Sequence, residues 1–223
     1  MVIKEIHKYV TKEIGSFLVE NGLAKQNSKS WVCYTDEMIQ MIILHFSYGQ
    51  EKFDLDVIIQ PWCIPEKEIY LTLSSRLSKI DSRDEYHSWG AWDEKKIVDD
   101  INDVKLVMKK DLFPLLKNCS NCLSSLSYID TSLSSAFQVD AWNKSRTFAY
   151  ILFYKHKIEE ASQWAKKYLC LVNDYSNDDI EIDIHNLKQL LFFSKENDYR
   201  RIDELFIKII ENNRRNFKLK CLN

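Results

Sequence analysis

The feature that most restricts how this chain can fold is the run from Met38 to Trp62, which reads as two antiparallel strands meeting at Ser47-Tyr48-Gly49-Gln50. In its second half Phe53, Leu55, Val57 and Ile59 alternate with Asp54, Asp56 and Gln60, the period-two pattern of a strand with one wet face. The first half, Met38 to Phe46, is apolar at nearly every position, as expected of a central strand covered on both faces. A sheet of this kind must bury its apolar face under helices, and the flanking sequence supplies them on both sides.

Upstream, Ile3, Ile6, Val10, Ile14 and Phe17 recur at three- and four-residue steps, and Asn21-Gly22 is a helix stop. Ser30 to Tyr34 is a short strand, with Thr35-Asp36-Glu37 turning into Met38. Pro61 and Pro65 close the strand that ends near Trp62. Ile69, Leu71 and Leu73 then alternate as a further strand, ahead of the polar stretch 78–85. From Ile97 a helical stripe runs through Ile101, Val104, Met108, Leu112 and Leu115, where Pro114 should kink or loosen the last turn. The serine-crowded stretch 118–135 reads as a linker or a polar helix.

Beyond it the pattern is helical throughout. Stripes at Phe148, Ile151 and Leu152; at Ala161, Trp164, Ala165, Tyr168 and Leu169; at Ile184, Leu187, Leu190 and Leu191; and at Ile202, Leu205, Phe206, Ile209 and Ile210 make two helical hairpins. They superpose at an offset of roughly 40 residues, within the range of helical repeats, but no residue signature of a named repeat accompanies them. The expected fold class is α+β: an antiparallel sheet of four to five strands packed by helices in 1–120, followed by an all-helical region in 121–223 packed on it as one unit.

Composition narrows the function. The 223 residues are 45% hydrophobic and 13% aromatic, which excludes a disordered chain, and the net charge of −2 argues against whole-molecule nucleic-acid binding. Four glycines leave little for a glycine-dependent phosphate cradle, so no nucleotide cofactor is expected. The charged N-terminus and the lack of a membrane-length apolar run point to a cytoplasmic protein without membrane contact. Six scattered cysteines suit a reducing compartment better than a disulfide scaffold.

Three stretches together resemble an uncharacterised family of bacterial α+β domains of unknown function, over about residues 1–120. They are Trp31 to Tyr34 after an N-terminal helix, the run from Met41 to Trp62, and Ser75-Arg76-Leu77 followed by a tryptophan-containing loop and a helix ending at Leu112 to Leu116. The resemblance implies the fold and carries over no catalytic residue. The general build also resembles immunity proteins that neutralise secreted bacterial toxins.

Several residue sets invite chemistry. Cys119 and Cys122 have zinc-knuckle spacing, with Cys170, His185 and Cys221 as conceivable partners, but no second paired motif completes a site, so no metal is expected. Asp54 and Asp56 share a strand face, as the two carboxylates of a metal-dependent nuclease would, and the basic residues Arg214, Arg215, Lys218 and Lys220 could contact phosphates. The segment 85–92 packs four aromatic rings into eight positions; Tyr86, Trp89 and Trp92 read either as partner-binding anchors or as a lid on the core. His87 there has no fixed catalytic partner. Asp174, Asp178, Asp179, Glu181 and Asp183 form an acidic run ahead of a helix, more acid than capping requires, and so a candidate site for a basic partner. With no coherent catalytic set, the expected function is a non-enzymatic protein-binding protein, best matching an immunity protein; the alternatives are a divalent-metal-dependent nucleic-acid hydrolase and a helical peptide-binding adaptor. Oligomeric state is left open.

Overall fold

The computed structural model describes residues 3–47, 52–66, 73–83, 89–90, 94–130, 139–173, 175 and 178–217. Helix α1 (Ile3–Glu20) buries Ile6, Val10, Ile14, Phe17 and Leu18 along one stripe. Its end is set by Gly22 at φ +92°, where the amide of Gly22 reaches Val19 O at 3.0 Å and that of Leu23 reaches Leu18 O at 3.1 Å. This left-handed C-terminal turn satisfies two carbonyls that the helix leaves open.

The strands that follow are β1 (Ala24–Lys25), β2 (Ser30–Tyr34), β3 (Met38–Ser47), β4 (Lys52–Pro61) and β5 (Leu73–Arg76), antiparallel throughout and neighbours in that order. The β3–β4 ladder pairs Met38 with Pro61 and Leu44 with Leu55. One face therefore carries Met38, Ile42, Leu44 and Phe46 beside Phe53, Leu55, Val57 and Ile59, all buried. The expected strand at 69–73 is described from Leu73 onward, and the turn at 48–50 lies outside the described residues. After the short helix α2 (Leu77–Ile80) comes an unexpected sixth strand, β6 (Trp89–Gly90), in which Trp89 pairs with Phe53 of β4.

The apolar face is covered by α1 and by α3 (Glu94–Val107), which packs on α1 through an ion pair of Lys105 with Glu13 at 3.0 Å. A π-helical turn, Met108–Leu112, links α3 to α4 (Phe113–Asn118). Pro114 thus loosens the helix one turn earlier than its own position suggests. Its ring has no N–H for the Lys110 carbonyl and crowds it, and the wider turn removes that conflict.

The serine-rich stretch forms a helix, α5 (Cys122–Asp130), with 131–138 outside the described residues. Helices α6 (Ala141–Tyr154), α7 (Ile158–Leu171), α8 (Asp178–Lys195) and α9 (Tyr199–Asn216) then make the two expected hairpins. One continuous apolar cluster runs from Ile6 through the sheet to Ile209, so the regions 1–120 and 121–223 share a core. On the sheet's other face Val32, Ile39, Met41, Ile58 and Trp62 form a smaller cluster with Phe217, which stacks on Trp62 at 5.7 Å just beyond α9.

Polar groups on the sheet close the helix ends. Gln40, buried on the helix-covered face, donates to the carbonyls of Leu116 and Cys119 at 2.6 and 3.0 Å, and the Thr35 hydroxyl donates to Ser120 O at 2.8 Å. Glu37 accepts from the amide of Cys122 at 2.9 Å and pairs with Lys155 at 2.5 Å, tying the start of α5 and the end of α6 to the sheet.

Two tests follow from this packing. A Cβ on Gly15 would lie 2.6 Å from Cζ2 of the buried Trp31, so Gly15→Ala should destabilise the fold by about 1–3 kcal/mol in urea denaturation, by overpacking. An unchanged midpoint would show that α1 does not rest on Trp31 as described. The second concerns Glu37. Burial raises its pKa, but the Lys155 ion pair and the Cys122 amide outweigh that, and the net value is lowered from 4.5. The stabilisation it adds is therefore present above pH 4.5 and lost as pH falls through the lower folded value. The stability gap between wild type and Glu37→Gln should be constant near neutrality and close on acidification, as read by denaturant midpoints across pH.

Candidate functional site

A concavity forms where α8 and α9 meet the segment Pro65–Glu66 that follows β4. Behind it lies a buried charge network. Arg146 sits on α6 inside a run buried from Ser145 to Phe153, where an unpaired guanidinium would be prohibitively costly. Its Nε donates to Asp183 at 2.5 Å, one terminal nitrogen to Glu66 at 2.6 Å, and the other to Pro65 O at 2.7 Å. Tyr150, one turn further along α6, donates to Asp183 at 2.9 Å, and Tyr168 from α7 donates to it at 3.2 Å.

The fold sets these partners by helix register. Asp183 falls on the buried stripe of α8 with Ile180, Leu187 and Leu190, and so points inward at Arg146. Glu66 is fixed by its own backbone: its amide donates to the Asn213 side chain at 3.0 Å, while the Asn213 amide group donates to Trp62 O and Ile64 O at 2.8 and 2.7 Å. Burial pushes the Glu66 carboxyl up, against the opposing pull of Arg146. Burial would lower the Arg146 pKa, but Asp183 and Glu66 hold it above its ordinary value, and burial together with Asp183 raises both tyrosines. The network thus contains two carboxylates, one guanidinium and two neutral phenols.

The groove in front of this network has a volume of about 310 Å³, the lower end of the range for small-ligand sites. Asp179, Ile182 and Asn186 line it from α8; Leu205, Lys208 and Asn212 are among its lining residues on α9. A larger trough of about 670 Å³ lies along α1, lined by Lys8, Lys12, Lys25 and Trp31 among others.

The candidate partner-binding residues are divided by the fold. Asp178, Asp179 and Glu181 are exposed on the first turn of α8, Asp179 lining the smaller groove and the first two also interacting within the chain. Asp183 is 3% exposed and belongs to the network, so it cannot meet a partner from this position. Trp89 is likewise buried: it takes the lid role, with its indole donating to Asp103 at 2.8 Å and its ring near Phe53. Asp100 accepts from the Gly90 amide at 2.7 Å and Asp103 also pairs with Arg83, so these two acids of α3 hold the Trp89 strand in place. Asp174, Tyr86, His87 and Trp92 lie outside the described residues.

The other sets do not assemble as their spacing suggested. Asp54 accepts from the backbone amide of Ser78 at 3.3 Å and from its hydroxyl at 2.5 Å, capping α2, and burial raises its pKa; Asp56 faces Arg76 across the strand pair at 3.9 Å. Cys119 and Cys122 are buried, and the Cys63 sulfur lies 3.9 Å from that of Cys122. Burial pushes the Cys119 thiol up to about 12. Among the described residues no group of three or more His, Cys, Asp or Glu is placed to hold a metal ion, and no helix is long and apolar enough to cross a membrane. Cys221 lies outside the described residues.

Sequence reasoning missed Arg146 and Glu66. The available signal was an arginine two residues ahead of the apolar run Phe148 to Phe153, matched by an acid at helical spacing from Ile180 and Leu187. Comparison with family models, curated proteins and solved structures finds no match for this chain.

Arg146→Met should cost about 3–5 kcal/mol, because it leaves Asp183 and Glu66 facing each other in the interior. Denaturant unfolding measures this. A cost below about 1 kcal/mol, the value of an exposed pair, would show that water reaches the site.

Proposed function

We propose that this chain is a non-enzymatic protein-binding protein whose role is that of an immunity protein, masking a basic surface such as the active site of a bacterial toxin domain in the cytoplasm. The observation that carries the reading is the acidic first turn of α8, where Asp178, Asp179 and Glu181 stand exposed and Asp179 lines a groove. Tyr175, 66% exposed, precedes that turn, and Ile182, 42% exposed, follows it. Acids of this kind speed association with a basic partner and select it, while an aromatic anchor and an apolar neighbour contribute contact area. Tyr175 takes the anchor role that the buried Trp89 cannot. The position of the groove between α8 and α9 also favours a second, narrower reading, a helical adaptor that grips a segment of polypeptide.

Affinity capture with the full chain, followed by the same measurement after Asp178→Lys, Asp179→Lys and Glu181→Lys, tests the reading. Wild type should recover a basic polypeptide partner, and the triple variant should bind it at least about tenfold more weakly with a shallower salt dependence. A tight complex with unchanged affinity and salt dependence would reduce the three acids to a helix cap. Recovery of no toxin-like partner would remove the immunity reading.

A further inference from the structure

The buried network behind the groove is not electrically balanced. Asp183 and Glu66 bring two carboxylates to the single guanidinium of Arg146, and both tyrosines that contact Asp183 are neutral. One negative charge is therefore left in the interior, where solvent and salt screen it far less than they screen a surface acid. It lies on the groove side, because Glu66 both closes the network and lines the groove.

The Glu66 end is also the less satisfied end. Its neighbour Gln60 is fully buried with neither amide atom in ordinary hydrogen-bond geometry, although it lies close enough to favour the charged form of Glu66. Asp179 adds a carboxylate to the lining, and Asn186, Asn212 and Asn216 add amide carbonyls. Lys208, on the same lining, is exposed and can swing its ammonium into water. Ile182, Leu205 and Ile209 supply apolar wall between these acceptors.

We propose that this groove receives an arginine side chain of a polypeptide partner, its methylenes lying along Ile182, Leu205 and Ile209 and its guanidinium directed at Asp179 and the Glu66 end of the buried network. Arginine fits better than lysine because its five N–H donors lie in one plane and are more weakly hydrated, so several fixed oxygens can be met at once for a smaller desolvation cost. An acidic or neutral side chain would instead meet the uncompensated charge. The proposal rests on the reading of the chain as a polypeptide binder and names what the groove, as distinct from the acidic lip, takes from the partner.

The test needs no natural partner. N-acetyl-L-arginine amide is titrated into the full chain while the side-chain amides of Asn186, Asn212, Asn213 and Asn216 are followed by NMR. The expected result is a saturable shift of these signals. N-acetyl-L-citrulline amide, nearly isosteric and uncharged, should need about a tenfold higher concentration, the loss of roughly one charge-assisted contact. Asp179→Asn should weaken arginine binding several-fold in a chain that retains the native NMR spectrum away from the groove. Shifts that do not saturate, or citrulline binding as well as arginine, would overturn the proposal. Capture of a partner by wild type together with a flat titration would remove the groove assignment alone; a saturable titration with no partner recovered would remove the immunity reading alone.

Discussion

Arg146 is where the two halves of this chain are held in register. Its guanidinium leaves α6 in the helical region and ends on Asp183 of α8 and on Glu66 and Pro65, which hang from the end of the longest sheet ladder. Without these acceptors a buried guanidinium would have to find water or lose its charge, and neither is available to arginine in an apolar core. The packing of α6, the inward face of α8 and the path of the chain after β4 are therefore coupled. Asn213 of α9 joins the same assembly by holding the backbone of Trp62, Ile64 and Glu66, so three of the last four helices converge on one short segment of the sheet region.

A second seam uses smaller polar groups. Thr35, Glu37 and Gln40 lie at or near the start of β3 and meet the carbonyls that close α4, the first amide of α5 and the last turn of α6. Helix ends carry open donors and acceptors that must be matched when they are buried. The sheet matches them here, which explains why a glutamine is tolerated on an otherwise apolar face. The hydrophobic effect drives the halves together, and these directional contacts select one relative placement.

The same physics divides the acids into two kinds. Asp183, Asp100 and Asp103 accept from donors inside the fold, whereas Asp178, Asp179 and Glu181 are exposed on the first turn of α8. Rim charges act on a partner at a distance and fade with salt; the network charge acts only at contact and keeps its strength. A partner with a basic surface would meet the first on approach and the second only when docked.

Much of the architecture was legible from periodicity alone. The alternation from Phe53 to Ile59, the stripe from Ile6 to Phe17, the stop at Gly22 and the four C-terminal helices all reflect local rules, since period and end signals act over a few residues. The candidate site was legible only in part. Acid density at 178–181 marked the exposed turn, but spacing alone did not show that Asp183 turns inward, because that depends on which face of α8 meets α6. Trp89 could be a lid or an anchor until β6 was seen beside Phe53. Asp54 could be a metal ligand until Ser78 was seen over it. The sequence by itself determined the elements and their apolar faces, because side-chain period and backbone sterics are local; the pairing of Arg146 with Asp183 and Glu66 was decided by tertiary structure, because those residues lie far apart in the chain and meet only when three elements pack together.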